Sequence, residues 1–137
     1  MAVRRFEWQK ARALTGRIYQ VTRDGRFARD AGSAGQIQRA SVSVTANLAE
    51  GFDRNRPAEF QRFGAIAKGS CAEVMSHFYL ALDTRYLDRP TFEEQSASAQ
   101  EVSRMLAALL QASAKSARLA SRDSGPRTRD SGLRGGQ

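Results

Sequence analysis

Apolar residues recur every three or four positions along most of the chain, which is the spacing of one face of an α-helix. This pattern predicts four amphipathic helices, over residues 7–22, 36–52, 57–84 and 91–117. No segment alternates apolar and polar residues as a half-buried strand does, and the chain has only three prolines. Four helices with short connections predict an all-α fold, an antiparallel up-down four-helix bundle.

Local signals mark the ends of these helices. Gly25 follows the first helix and suits a C-terminal cap, and the glycine-rich run 31–35 predicts a connection before the second helix. Pro57 suits the first position of the third helix, where its missing N–H is not needed. Thr91 opens the fourth helix with a carboxylate three residues later, which is a capping box.

The C-terminal residues have a different composition from the rest. Residues 119–137 are rich in Arg, Asp, Ser and Gly and have little to bury, which predicts a disordered basic tail after a bundle of residues 1–118. No apolar run approaches the ~18 residues of a membrane span, and no apolar stretch typical of a signal peptide follows the early arginines. We therefore expect a soluble, cytoplasmic protein with no membrane partner.

Charge adds a second prediction. The 137 residues carry 22 Lys and Arg against 14 Asp and Glu, a net charge of +8, and residues 1–68 alone hold 13 basic against 6 acidic residues. Of the 22 basic residues, 19 are arginine, whose planar guanidinium binds phosphate in a bidentate manner. The codon usage of a GC-rich genome would produce the same excess of arginine, so both interpretations stay open.

The first predicted helix and its start hold the candidate phosphate-binding residues. They are Arg4, Arg5, Lys10, Arg12 and Arg17. Such residues would bind RNA or DNA without strong sequence preference. Base stacking is expected to contribute little, because Phe60, Phe63 and Phe78 follow the core side of the third helix and only Tyr19 is expected to be free.

Polar residues form a stripe along the second helix and continue on the third. Its members are Arg39, Ser43, Asn47, Glu50, Ser70 and Glu73. Mixed charges at contact spacing favour a structural hydrogen-bond network between the two helices. A solvent-facing ligand groove and an ordinary solvated face are the alternatives. If the network is buried, replacing Glu50 with Ala should cost about 2–4 kcal/mol, as for a broken buried pair.

The sequence offers little for catalysis. Cys71 is the only cysteine, which excludes an intrachain disulfide, and its place on the apolar side of the third helix predicts a buried, inert thiol. His77 is the only histidine and lies four residues after Glu73, whereas di-iron bundles need Glu-x-x-His twice. We therefore expect no catalytic residues, no metal and no cofactor, and a protein that is not an enzyme.

Three separated motifs resemble a known family. Residues 36–52 read Gln-Ile-Gln-Arg-Ala-Ser-Val-Ser-Val-Thr-Ala-Asn-Leu-Ala-Glu-Gly-Phe. This run resembles the signature of the four-helix bundle proteins encoded in intervening sequences of large-subunit ribosomal RNA. Trp-Gln-Lys-Ala at 8–11 resembles the same family, as do Glu-Phe-x-Arg-Phe at 59–63 and Gly-Ser-x-x-Glu at 69–73. Thr45 stands where the family has proline, and Ser33 where it has leucine.

The resemblance implies a small bundle that assembles as a homo-oligomer, a pentamer. It also implies a relation to the accessory proteins of diversity-generating retroelements, which partner a reverse transcriptase and nucleic acid. From the charge and the resemblance together we expect a non-enzymatic oligomer that binds nucleic acid through a basic surface. The alternative is an oligomeric scaffold that binds a protein partner such as a reverse transcriptase.

Overall fold

A computed structural model describes residues 1–123 of the chain. After a short 3-10 turn, five helices follow one another, and these residues contain no strand. The helices are α1 (Phe6–Thr22), α2 (Gly25–Arg29), α3 (Ala31–Asp53), α4 (Pro57–Asp83) and α5 (Arg89–Asp123). None of the helices described is long and apolar enough to cross a membrane. The predicted all-α fold is confirmed.

The four long helices form a closed bundle. Each packs on two neighbours, in the order α1, α3, α4, α5 and back to α1. The apolar sides predicted from the sequence meet at the centre, and the largest fully buried side chains lie there. They are Phe27, Phe78, Leu14, Ile18, Ile37, Leu48, Leu106, Val44, Val74 and Val102. Burial of this apolar surface is the main stabilising term of the fold.

The predicted glycine-rich connection is wrong, because residues 31–35 are the first turn of α3. Asp30 caps this helix: its carboxylate accepts a hydrogen bond from the Ser33 N–H at 3.0 Å. The other carboxylate oxygen accepts a hydrogen bond from the Tyr86 hydroxyl at 2.7 Å. A cap held from the distant α4–α5 turn thus offsets the poor helix propensity of the glycines.

The segment after α1 also differs from its prediction. Gly25 has a left-handed φ of 65°, but it begins the short helix α2 instead of ending α1. This turn buries Phe27 against the Tyr86 ring, with 5.3 Å between the ring centres. At the far end of the chain α5 continues six residues beyond the predicted 117, to Asp123. The remainder of the predicted tail, 124–137, lies outside the described residues.

Glycines allow α3, α4 and α5 to approach closely at one end of the bundle. A Cβ atom at Gly51 would stand 3.0 Å from a ring carbon of Phe60, and one at Gly64 would stand 2.7 Å from Leu110. Gly69 has open space around it and needs no such explanation. The close approach at Gly51 seats the Phe60 ring beside the end of α3.

Candidate nucleic-acid interface

The five predicted phosphate-binding residues divide into two groups. Arg4 and Arg12 are exposed, and Arg12 lies over the Trp8 ring at 5.9 Å. Arg5 is also exposed, with its guanidinium 4.2 Å from the centre of the Phe52 ring and 3.5 Å from Glu7. These three residues are placed where a polyanion can reach them.

Lys10 and Arg17 instead lie against α5. The Lys10 ammonium is 2.8 Å from the Glu101 carboxylate, and this contact lowers the pKa of Glu101. Arg17 is half-buried in the same groove between α1 and α5. Its Nε is buried and has no hydrogen-bond partner among residues 1–123. Helix α1 therefore presents fewer free cations than the sequence alone indicates.

Free cations are nevertheless abundant on the bundle. Of the 13 basic residues in 1–68, only Arg5, Lys10 and Arg54 form ion pairs with carboxylates of the described chain. The exposed basic residues of this half that form none there are Arg4, Arg12, Arg23, Arg26, Arg29, Arg39, Arg56, Arg62 and Lys68. Uncompensated positive charge is what attracts a phosphate backbone.

The polar stripe is joined only in part. The hydroxyls of Ser43 and Ser70 hydrogen-bond across α3 and α4 at 2.8 Å. The Asn47 amide donates to the Ser43 carbonyl at 2.9 Å and to its hydroxyl at 3.1 Å. All three side chains are half-buried. The Ser43–Ser70 bond ties the two helices together, and the Asn47 bonds hold Ser43 in place within α3.

The charged members of the stripe stand apart from this serine–asparagine cluster. Glu50 approaches Arg54 at 3.5 Å, with both side chains nearly half exposed. Glu73 is exposed and approaches His77 at 3.7 Å, and the exposed Arg39 has no ion-pair partner among residues 1–123. These are helical i,i+4 contacts or solvated groups, not one network.

A cleft opens at the end of the bundle where α3 ends and α4 begins, and we call it the arginine cleft. It has a volume of about 310 Å³. Its apolar residues include Phe52, Phe60 and Leu109, and its cations are Arg5, Arg54 and Arg56. The Ser113 hydroxyl donates to the Pro57 carbonyl at 3.0 Å, which holds α5 against the start of α4.

The sequence did not predict this cleft. Phe60 follows the apolar periodicity of α4 as expected, but it is only half-buried, because it lies in the first turn, where the bundle interior ends. Phe78, deep in the same helix, is fully buried. One signal was present: Arg54 and Arg56 occupy the three-residue connection that follows Phe52 and Asp53, so two arginines stand where α3 ends and α4 begins.

The opposite end of the bundle holds a second polar group. Asp30 and Tyr86 meet there beside Arg26 and Arg29. The Ser33 N–H and the Tyr86 hydroxyl stabilise the ionised carboxylate, so the pKa of Asp30 is lowered, while that of Tyr86 is raised. Since Asp30 caps α3, we assign the Asp30–Tyr86 contact a structural role.

The expected inert cysteine is buried as predicted. The Cys71 thiol donates to the Ala99 carbonyl at 3.3 Å, and burial raises its pKa to about 11. A thiol with such a pKa is protonated at neutral pH and is a poor nucleophile. Within residues 1–123 no three His, Cys, Asp or Glu side chains are grouped as metal ligands.

The fold and its surface define the class: a small four-helix bundle with an arginine-rich exterior. Comparison with known families is more specific. A model of the 23S rRNA-intervening sequence proteins matches residues 6–108, so the chain belongs to this family. The resemblance carried by the sequence motifs is thus confirmed.

A solved structure shows the same fold. It is a protein of unknown function from the S23 ribosomal protein family of Bacteroides thetaiotaomicron, with a TM-score of 0.70 and 21% sequence identity. The match covers 76% of this chain and 97% of that one. A search of curated protein sequences finds no significant match.

Proposed function

We propose that the protein is a non-catalytic, homo-oligomeric bundle that binds nucleic acid through its basic surface. The observation that carries this proposal is the set of nine exposed basic residues in 1–68 that have no carboxylate partner among residues 1–123. Folding normally leaves surface charges of both signs interspersed, whereas here residues 1–30 hold eight basic residues against three acidic ones, and the connection 54–56 adds two arginines. Each such residue that contacts a phosphate releases a counterion that was condensed on the nucleic acid. This release favours binding most strongly when the salt concentration is low.

RNA is the first ligand to test. The family takes its description from intervening sequences of 23S rRNA, and arginine binds the phosphates of RNA and DNA alike. Parallel measurements with DNA of the same length decide whether the sugar matters, since only RNA offers a 2′-hydroxyl.

Self-association would multiply this charge. The apolar side chains of Val42 on α3 and Ile66 on α4 are 42% and 45% exposed, and the Ser43–Ser70 hydrogen bond joins these two helices. A second copy that covers this face would bury them, and the pentamer implied by the family resemblance is the form we propose. Light scattering at micromolar concentration tests it, and a monomer contradicts it. In an oligomer Val42→Glu should lower the mass, whereas the exposed Val3→Glu should not.

A protein-binding scaffold is the alternative function. Tyr79 and Leu80 favour it, because both are 54% exposed on the outer side of α4, where an apolar partner could dock. The two functions differ in their salt response: phosphate binding weakens steeply with salt, whereas apolar docking does not.

The deciding experiment is a titration of labelled RNA and DNA, followed by fluorescence anisotropy, from ~50 mM salt upward, where phosphate-driven affinity is strong. Arg12→Gln should weaken binding of all sequences about equally. It should also reduce the slope of log affinity against log salt concentration by about one, the value for one lost phosphate contact. Lys10→Gln is the charge-matched control, because Lys10 already pairs with Glu101. No complex with either nucleic acid at low salt overturns the proposal.

A further inference from the structure

The arginine cleft combines two features that rarely occur together on a small bundle. Its floor is aromatic, formed by Phe52 and Phe60 with 5.5 Å between their ring centres. The cations among its lining residues are Arg5, Arg54 and Arg56, and no Asp or Glu of residues 1–123 lines it. An apolar surface alone attracts any apolar partner, whereas this surface also requires negative charge.

The aromatic floor continues into a guanidinium. Arg5 lies over the Phe52 ring at 4.2 Å, and a guanidinium plane stacks on bases much as an aromatic ring does. The contact of Arg5 with Glu7 is 3.5 Å long and exposed. Such a surface pair is weak, so it leaves Arg5 free to move over a ligand.

The rim suits a phosphate beside a stacked base. Arg56 is exposed and has no ion-pair or hydrogen-bond partner for its guanidinium within residues 1–123. Arg54 has a long contact with Glu50 at 3.5 Å and lies 5.2 Å from the centre of the Phe63 ring. Both residues line the cleft, one on each side of Asn55 in the connection.

The volume of the cleft limits the size of the ligand that it can hold. About 310 Å³ lies at the small end of ligand sites and suits a single nucleotide. A base in a duplex is stacked and paired, and taking it out costs a few kcal/mol. A base in a single strand is accessible without that cost.

We propose that the arginine cleft binds an unpaired nucleotide of a single-stranded nucleic acid. The base stacks on Phe52, Phe60 and Arg5, and its phosphate is held by Arg54 and Arg56. This inference rests on the proposed function, because the basic surface has to bind the rest of the strand. It adds a preference for single strands, which phosphate contacts alone do not supply.

The test uses the full chain and a ten-nucleotide RNA with one central 2-aminopurine, whose fluorescence falls when the base stacks. We expect fluorescence quenching on binding, and an affinity about tenfold higher than for a duplex of equal length at the same salt. Phe52→Leu keeps an apolar floor but removes the ring, and should reduce quenching and single-strand affinity about tenfold.

Arg56→Gln is a second variant that does not depend on packing, because this side chain is exposed. Arg23→Gln is its matched control: Arg23 is exposed too and lies at the other end of α1, about 27 Å from Arg5. We expect Arg56→Gln to weaken single-strand binding about fivefold more than Arg23→Gln does.

Three results overturn the inference while leaving the proposed function in place. The first is equal affinity for single strand and duplex without quenching. The second is equal loss from Arg56→Gln and Arg23→Gln. Full displacement of the RNA by an acidic peptide of equal charge would also overturn it, since the cleft would then select charge and not a base. Absence of all binding at low salt refutes the proposed function itself.

Discussion

Gly51 offers a sharp test of how the end of the bundle is packed. A methyl group there would stand 3.0 Å and 3.3 Å from two ring carbons of Phe60 and 3.4 Å from the Cβ of Phe63. Neither neighbour gives way easily, since the Phe60 ring also packs near Gly64 and a Cβ atom moves only with its backbone. Overpacking of this kind costs about 1–3 kcal/mol.

The gain in helix propensity from Gly to Ala is about 0.8–1.0 kcal/mol and opposes this cost. Gly51 lies in the last turn of α3, where only part of that gain is realised. If about half of that gain, ~0.5 kcal/mol, opposes the overpacking cost, we expect Gly51→Ala to lower the free energy of unfolding by about 0.5–2.5 kcal/mol.

Gly69→Ala is the matched control. Gly69 lies inside α4, and a methyl group there meets nothing within 4 Å. The propensity gain is then unopposed, and stability should rise by about 0.5–1 kcal/mol. Urea unfolding followed by helical circular dichroism measures both variants, at one protein concentration because self-association shifts apparent stability. If Gly51→Ala stabilises as much as Gly69→Ala, the inferred close packing against Phe60 is wrong.

Four further predictions concern the polar groups and the thiol. Glu50→Ala should cost less than about 0.5 kcal/mol, not the 2–4 expected for a buried pair, since Glu50 is 44% exposed; Ser70→Ala should cost about 0.5–1.5 kcal/mol in the same urea titration, because Ser43 loses a partner. The lowered pKa of Asp30 contributes stability that is present above its unfolded pKa and is lost as the pH falls through the folded one; acid titration of Tyr86→Phe should show a smaller loss over that range. The pKa of about 11 predicts that Cys71 reacts with iodoacetamide at pH 8 only when the protein unfolds, and rapid labelling of the native protein would contradict its burial.

The long helices were predictable because their signals are local. Apolar spacing of three and four residues placed α1 and α4 within one residue of their observed ends. Pro57 does begin α4, as its missing N–H requires. Such features depend on a residue and its neighbours within a turn or two, so the sequence alone contains them.

The first turn of α3 was not predictable in this way. Its glycines favour a loop by propensity, and the helix begins there because Asp30 caps it and Tyr86 holds Asp30 from 56 residues away. The pairing of Lys10 with Glu101 likewise joins distant segments. The sequence does not show that contact, so Lys10 was predicted to be one more free cation on α1.

The sequence by itself predicted a basic chain from its charge and a helical fold from its apolar spacing, and its motifs predicted the family that the match over residues 6–108 confirmed. Only the tertiary structure decided which charges stay free and where aromatic rings reach the surface. The arginine cleft is the clearest case: Arg5, Phe52, Phe60 and Leu109 come from four segments. From the sequence alone, Phe52 and Phe60 fit the apolar spacing of ordinary core residues. The two rings line an open cleft because α1, α3 and α4 each begin or end at this end of the bundle. A local sequence pattern does not show which helix ends lie side by side.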